Sequence, residues 1–334
     1  MRIENAECRN SMNTVRLSAD NQNDIACAAD LLRRGELVAI PTETVYGLAA
    51  NALDEAAVAK IFAAKGRPAD NPLIVHVLSL EDAAPLVKEI PEQALLLAKT
   101  FWPGPLTIVL EKSGLIPDIV SAGLSTVALR SPSHPAARAL LRACGLPLAA
   151  PSANKSGSPS PTRAQHVLDD LPGIAVLDGG ACDVGLESTV ITLTTPTPIL
   201  LRPGGVSLED LETVLGKINI SGAITRELKP DEHAHSPGMK HRHYAPKAEL
   251  TLVHGSPEDV TRFAKEQGAD GVLDFGDNPE EQARRLFAKL REIDLLGLHK
   301  VFVRCPEQDG LGLAVYNRLL RAAEFREVHA DVSE

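Results

Sequence analysis

Aromatic side chains are scarce in this sequence and make up only 3% of its residues. The hydrophobic core must therefore be built from leucine, valine, isoleucine and alanine, a composition that favours layered α/β structure. The chain contains no apolar run near the ~18 residues that a transmembrane helix needs. Its first residues are polar and acidic, without the apolar segment of a secretory signal. These absences predict a soluble, cytoplasmic α/β protein.

Two common phosphate-binding fingerprints are also missing. The sequence contains neither G-x-x-x-x-G-K-[ST] nor G-x-G-x-x-G, so a nucleotide would have to be held in another way. The five cysteines are an odd number and form no C-x-x-C pair, which predicts reduced thiols. The formal net charge of −10 argues against a surface that holds nucleic acid non-specifically. Basic residues therefore matter locally and not as a global field.

The length and the order of apolar patterns predict two domains. A chain of 334 residues exceeds the ~250–300 residues that one core usually supports. Alternating strands and helices over residues 15–220 predict a twisted, mixed-sheet α/β domain. Apolar periodicity fades over residues 221–247, which we interpret as a linker. Three β-α units over residues 248–330 then predict a smaller, Rossmann-like parallel α/β domain.

Residues 65–76 are the most informative stretch for chemistry. A predicted helix, Ala56–Ala64, precedes it, and a predicted strand, Leu73–Leu78, forms its last part. A glycine and two prolines interrupt the region between them, so Lys65 and Arg67 are expected on an irregular connection. A lysine and an arginine this close on a loop can converge on one anionic group. A chance basic pair would look the same.

A second stretch rich in small hydroxyl residues lies upstream, where I-P-T-E-T-V-Y-G-L at 40–48 follows a predicted strand. Together the two stretches resemble the N-terminal signature of the YrdC-type threonylcarbamoyl-AMP synthases. Further matches follow in order: S-T-V-A-L-R at 125–130, A-P-S-A-N at 150–154, S-P-S-P-T at 158–162, E-S-T at 187–189 and L-R-P-G at 201–204. The resemblance is close over residues 31–206 and sparser afterwards, and it indicates the long form of the family with a second domain.

The resemblance implies a set of site residues. The positions that match the family's catalytic signature are Lys65, Arg67, Ser152 and Asn154. The positions that match its L-threonine contacts are Thr44, His76, Arg130, Ala150 and Ser188. The positions that match its ATP contacts are Arg67, Asn71, Thr126, Ser152, Ser160, Arg202 and Tyr244. We expect the threonine carboxylate at Arg130, the triphosphate at Lys65, Arg67 and Arg202, and no metal site made by the protein itself.

The resemblance also implies the reaction. L-Threonine, bicarbonate and ATP would give threonylcarbamoyl-AMP and pyrophosphate, the first step of threonylcarbamoyladenosine formation in tRNA. Mg²⁺ would enter with the ATP phosphates, and the product would pass to a downstream threonylcarbamoyl-transfer machinery. A carbamate and a triphosphate are both anions, so such a site needs cations and positioning more than a strong base. We expect no membrane association and no strong direct binding of nucleic acid.

Four histidines in the linker, His233, His235, His241 and His243, suggest either a metal site or a solvated segment. The segment is aperiodic and lacks cysteine, so we favour a solvated linker. The resemblance adds that the family carries S-P-G-M-[KR]-x-x-H-Y-[AS]-P here, with the tyrosine, Tyr244, reaching back over the nucleotide. The linker is therefore also expected to fold over the site as a lid.

Two alternatives come from other functional classes. One is an RNA-binding module, which the negative charge and the few aromatic residues available for stacking disfavour. The other is carbamoyl transfer by way of a carbamoyl-adenylate, whose enzymes carry additional domains that we do not find. The second domain shows no convincing constellation of functional residues. In its last predicted helix Leu313, Tyr316, Leu320 and Ala323 recur at helical spacing and predict a core face.

Overall fold

The structure, a computed structural model, describes residues 15–226 and 243–330 of the chain. The predictions for residues 1–14 and for His233, His235 and His241 lie outside the described residues. Within them no helix is long and apolar enough to cross a membrane.

One large sheet organises the first domain. Its strands are β1 (Arg16–Ser18), β2 (Val38–Ile40), β3 (Gly47–Asn51), β4 (Ile74–His76), β5 (Leu106–Glu111), β6 (Thr126–Arg130), β7 (Leu148–Ala149), β8 (Ala175–Asp178), β9 (Thr189–Thr192), β10 (Ile199–Arg202) and β11 (Asn219–Ile220). Their order across the sheet is β1-β8-β2-β3-β7-β4-β6-β5-β9-β10-β11. The sheet is mixed, since β4 runs parallel to β6 whereas β5 runs antiparallel to it.

Helices cover this sheet and close its core. They are α1 (Gln22–Arg33), α2 (Glu55–Lys65), α3 (Leu80–Ala83), α4 (Glu92–Phe101), α5 (Asp118–Ser121), α6 (Pro135–Cys144), α7 (Ala164–Asp170) and α8 (Leu208–Leu215). Alternate residues of each strand face opposite sides. Val75 of β4 and Leu129 of β6 therefore join α2 and α4 in the main core. On the other face, Ile74 and Ala128 belong to a much smaller apolar cluster, and this face carries the site.

The second domain is a four-stranded parallel sheet. Its elements are β12 (Glu249–His254), α9 (Pro257–Glu266), β13 (Gly271–Leu273), α10 (Pro279–Leu295), β14 (Lys300–Arg304), α11 (Gly312–Ala322) and β15 (Glu327–His329), with strand order β13-β14-β12-β15. Helix α9 packs on one face of this sheet. Helices α10 and α11 pack on the other, together with Val45 and Leu186 of the first domain. The predicted fold class, a mixed-sheet α/β domain with a smaller parallel α/β domain, is confirmed.

One local prediction needs correction at the functional stretch. Lys65 is the last residue of α2 and not part of an irregular connection. Gly66 ends the helix in the left-handed conformation at φ 60°, and the Arg67 amide donates to the Phe62 carbonyl at 3.0 Å. This is the usual glycine-based C-terminal cap, and glycine is favoured there because it lacks a Cβ. The cap ends the helix at Gly66, so Lys65 lies on α2 and Arg67 lies on the turn that follows.

The cysteines also depart from expectation. Cys144, Cys182 and Cys305 carry free thiols, but Cys27 is disulfide-bonded. The prediction that all five cysteines are reduced is therefore wrong at Cys27. Disulfide formation requires two cysteines to approach closely in the fold, and the spacing of cysteines in a sequence does not show this.

Candidate active site

A cleft lies where four strands of the large sheet bring polar residues together at the same end of the strands. His76 ends β4, Arg130 ends β6, Arg202 ends β10, and Ser188 directly precedes β9. Strand β9 runs antiparallel to β10 and parallel to β5, and β5 runs antiparallel to β6. These strand directions place all four residues at the same end of the strands, although the residues are far apart in sequence.

Most of the predicted site residues line this cleft, namely Thr44, Arg67, His76, Arg130, Ala150, Ser152, Ser188, Arg202 and Tyr244. Asn154, Lys65, Asn71 and Ser160 lie outside the lining, and the last three hydrogen-bond to a residue within it. Thr126 begins β6, at the far end of that strand from Arg130. It does not line the cleft, although the alternation of strand residues puts it on the same face as Arg130.

Arg130 dominates the side of the cleft predicted to bind threonine. Its Nη2 lies 2.7 Å from Glu43 Oε1, and its Nη1 donates to Thr44 Oγ1 at 2.8 Å. Both members of the Arg130–Glu43 pair are buried. Burial alone would raise the pKa of the Glu43 carboxyl, but the Arg130 charge brings that pKa below its usual range. Glu43 lies within the E-T pair of the hydroxyl-rich stretch, yet sequence reasoning did not select it.

His76 is neutral in this site. Its ring is buried, and Nδ1 has no hydrogen-bond partner among the described residues. Burial, reinforced by the nearby Arg130 charge, lowers the pKa of His76 to about 3. A neutral imidazole can donate or accept a hydrogen bond without adding a charge to the threonine side of the cleft.

Lys65 holds the backbone behind the cleft. Its buried ammonium donates to the carbonyl oxygens of Ser152 and Asn154. Burial, followed by the neighbouring Arg67 charge, lowers the pKa of Lys65 well below its ordinary value. Because Ser152 lines the cleft, Lys65 fixes the path of the A-P-S-A-N segment there. Asn154 adds to this order by donating to the Ser158 carbonyl at 2.9 Å.

Arg67 reaches the cleft from the turn after α2. Its Nη2 donates to the carbonyl oxygens of Asn71 at 3.3 Å and Pro72 at 3.1 Å. Its Nε and the Asn71 Oδ1 are buried without a hydrogen-bond partner among the described residues. Burial lowers the pKa of Arg67 to about 10, so the guanidinium stays charged at neutral pH. Buried polar atoms without partners are uncommon, and a polar ligand in the cleft would give Arg67 Nε a partner.

Arg202 lines the cleft from the end of β10. Its Nε and Nη2 donate to the Ser188 carbonyl at 3.1 and 2.9 Å, and the Ser188 hydroxyl pairs with Thr107 Oγ1 at 2.8 Å. Burial also lowers the pKa of Arg202 to about 10. Ser188 and Arg202 thus form one hydrogen-bonded unit that spans the start of β9 and the end of β10.

Glu187 and Arg318 lie next to the Ser188–Arg202 unit, and sequence reasoning did not select them. Arg318, on α11 of the second domain, donates from Nε to Glu187 Oε2 at 3.0 Å. The Ser160 hydroxyl donates to the other oxygen, Oε1, at 2.5 Å. Tyr244 is buried beside them, with its ring 5.2 Å from Phe287 and 5.9 Å from the Arg318 guanidinium carbon. The first domain and the second therefore meet at the cleft.

Comparison with known proteins agrees with this architecture. A family model described as telomere recombination matches residues 30–204, and one described as the C-terminal domain of threonylcarbamoyl-AMP synthase matches residues 206–324. A curated threonylcarbamoyl-AMP synthase from Pyrococcus abyssi is 50% identical over 323 residues, covering 90% of this chain and 94% of that protein. The chain belongs to the threonylcarbamoyl-AMP synthase family.

Other members of the threonylcarbamoyl-AMP synthase family support the same assignment. The Bacillus subtilis protein of this name is 44% identical and covers 92% of this chain and 95% of its own length. The crystal structure of P. abyssi Sua5 complexed with L-threonine superposes with a TM-score of 0.89 at 47% identity, covering 95% of this chain and 99% of that one. Both domains of this chain are therefore shared with a family member of solved structure.

Proposed function

We propose that this protein condenses L-threonine, bicarbonate or CO2, and ATP into threonylcarbamoyl-AMP, with release of pyrophosphate. The observation that carries the proposal is the charge of the cleft. Three buried arginines, Arg67, Arg130 and Arg202, line it, in a protein whose formal net charge is −10. The two nearby carboxylates, Glu43 and Glu187, are each paired with an arginine. Such a cleft favours anionic substrates.

The chemistry requires two anions to meet. The amine of threonine forms a C–N bond with CO2 and loses a proton, which leaves a carbamate. A carbamate oxygen then attacks the α-phosphorus of ATP, and the bond to the β-phosphate oxygen breaks to release pyrophosphate. Arg67 and Arg202 hold the phosphates in this scheme, while Arg130 with Thr44 orients the threonine carboxylate. His76 and Ser188 supply hydrogen bonds to its other polar groups.

Mg²⁺ fits this site as a companion of the nucleotide. Glu43 and Glu187 are already bonded to arginines, so the described residues of the cleft offer no ready carboxylate ligand. The phosphate oxygens would hold the ion, and bound there it would neutralise part of their charge. We assign no residue of this chain as its ligand.

Residues 221–226 and 243–247 are the described parts of the predicted lid, and they include Tyr244. Residues 236–242 lie outside the described residues, but Tyr244 is buried and lines the cleft, and the Ala245 amide donates to the Gly157 carbonyl at 3.0 Å. We propose that Tyr244 lies against the nucleotide and helps to keep water from the labile mixed anhydride. The product would then pass to the threonylcarbamoyl-transfer machinery for tRNA in the cytoplasm.

Pyrophosphate release tests the proposal directly. Release from ATP should require both L-threonine and bicarbonate, and omission of either should abolish it. An RNA-binding module would release no pyrophosphate under any of these conditions. A carbamoyl-transfer enzyme would not depend on threonine. Release that is independent of threonine or of bicarbonate would contradict the proposed function.

A further inference from the structure

Arg318 occupies an unusual place for a charged residue. It lies in the middle of α11, its exposed fraction is 0%, and it is the largest of the fully buried side chains among the described residues. A guanidinium removed from water costs several kcal/mol unless hydrogen bonds and a counter-charge compensate for it. Arg318 must therefore have well-placed partners.

Those partners lie mainly in the first domain, next to residues of the cleft. Arg318 Nε donates to Glu187 Oε2 at 3.0 Å, Nη2 donates to the Glu187 carbonyl at 3.2 Å, and Nη1 donates to the Pro203 carbonyl at 2.6 Å. Glu187 directly precedes Ser188, and Pro203 directly follows Arg202. One side chain of the second domain thus hydrogen-bonds to the backbone beside both Ser188 and Arg202.

The turn after β10 and the segment before β9 are packed in direct contact. A Cβ on Gly204 would lie 2.2 Å from the Thr189 nitrogen and 2.5 Å from the Glu187 oxygen, so the turn after β10 touches the chain before β9. Arg318 joins the two segments at this contact. A shift of Glu187 would therefore move the Ser188 and Arg202 groups as well.

The Glu187 carboxylate also contacts Ser160, a predicted ATP-binding residue just outside the cleft lining. Oε2 faces Arg318, while Oε1 accepts the hydrogen bond from Ser160. Burial would raise the pKa of Glu187, but the charges of Arg318 and Arg202 lower it below its usual range. The charges of two arginines therefore act on one carboxylate, and Arg318 supplies the hydrogen bond to it.

We propose that Arg318 is a positioning residue for the nucleotide side of the active site, so that docking of the second domain completes the site. Arg318 anchors the Glu187 and Pro203 carbonyls, next to Ser188 and Arg202, and it holds the Glu187 carboxylate that accepts from Ser160. This inference rests on the proposed function. Without Arg318 this anchor is lost, and a shift of Arg202 and Ser160 would weaken the contacts to the nucleotide.

Steady-state pyrophosphate release by the full-length protein tests this role, with Arg318→Met as the variant. We expect KM for ATP to rise about tenfold, the size of one lost charge-assisted hydrogen bond. KM for threonine should rise less, because Ser188 shifts with Glu187 while Arg130 and Thr44 keep their contact. The pKa of Glu187 should rise, so the acidic limb of the pH–rate profile should move to higher pH. Arg318→Lys keeps the charge without the planar fork and should show a smaller rise in KM.

Arg284→Met is the matched control. Arg284 lies on α10 and also crosses to the first domain, where its Nε donates to the Asp183 carbonyl at 3.1 Å. The Arg284→Met variant should lower the melting temperature without changing KM for ATP or the pH profile. If Arg318→Met matches this control, or leaves KM for ATP unchanged, Arg318 only stabilises the interface.

Two further measurements keep the test decisive. If Arg318→Met does not fold, Arg318→Lys decides, and a wild-type KM for ATP in that variant would overturn the proposal. If the wild-type protein releases no pyrophosphate, the proposed function fails instead. Calorimetric titration of ATP into the wild type, Arg318→Lys and Arg284→Met then tests the positioning role alone, with weaker binding expected only for Arg318→Lys.

Discussion

Two buried arginine–glutamate pairs flank the cleft, and they differ in how they are built. Arg130 and Glu43 both belong to the first domain and pair at 2.7 Å on the side predicted to bind threonine. Arg318 and Glu187 pair at 3.0 Å on the nucleotide side, but Arg318 comes from the second domain. The chemistry of the two pairs is similar, so their difference lies in what holds each one. The Arg130–Glu43 pair is complete within one domain, whereas the Arg318–Glu187 pair depends on the contact between two.

Breaking the pair within the first domain should have the largest effect. Glu43→Gln leaves the Arg130 guanidinium buried without its counter-charge, which should cost about 3–5 kcal/mol of unfolding free energy. Urea denaturation measures this loss. Glu36→Gln is the control, because Glu36 pairs with Lys60 at 2.9 Å on the surface with both side chains exposed. Its loss should stay below about 1 kcal/mol. Equal losses in the two variants would show that Arg130 does not need Glu43.

Arg67 belongs to neither pair. Its replacement tests the proposed contact with the phosphates. Its hydrogen bonds to Asn71 and Pro72 are to backbone carbonyls, so Arg67→Ala should leave the fold intact. If Arg67 stabilises charge in the transition state, its removal should lower turnover by ~10²–10³-fold. Circular dichroism and pyrophosphate release measure both properties on one sample. Wild-type turnover in a folded Arg67→Ala protein would rule out this assignment.

The choice of amino acid tests the threonine side alone. Serine lacks one methyl group and should be poorer in kcat/KM by about 1–3 kcal/mol. Valine replaces the hydroxyl with a methyl group and should be worse, because it leaves buried polar partners unpaired. KM for ATP should stay the same with every amino acid that supports turnover. Similar kcat/KM for all three would contradict the assignment of this pocket.

The pH dependence of stability should show the smallest effect. The pKa of His76 is about 3 in the folded protein, below the ordinary value of 6.5, so the unfolded chain binds more protons between these values. Stability should therefore fall as pH is lowered from 6.5 towards 3. At pH 5.5 this loss amounts to about 1.4 kcal/mol. His76→Gln should lose less stability over this range in denaturant titrations, and an identical pH dependence would contradict a buried neutral His76.

Much of the first domain could be predicted from the sequence. The predicted strand Leu73–Leu78 contains β4, Ile74–His76, and short motifs at strand ends pointed to Arg130 and Ser188. Strand ends are predictable because apolar runs are local patterns, and polar residues that follow them gather at one edge of a sheet. Lys65 shows the limit of local reading. The cap formed by Gly66 extends α2 through Lys65, and burial turns this lysine towards the Ser152 and Asn154 carbonyls.

Helix α11 shows why the rest could not be predicted. Its spacing correctly indicated a core face with Tyr316 and Leu320, and an arginine on the other face is ordinarily solvated. In the structure Asn317, Arg318 and Arg321 are buried against the first domain. No periodic pattern distinguishes a solvated polar face from one that docks on another domain.

The sequence by itself determined the two α/β domains, the family resemblance and most residues of the cleft, because short motifs and apolar periodicity are local properties of the chain. The tertiary structure decided which charges neutralise each other. Glu43 lies 87 positions from Arg130, and Glu187 lies 131 positions from Arg318. Such pairs form only when strand order and domain docking bring the residues together. The energy of a buried charge depends on these partners, so the functional state of the arginines follows from the fold.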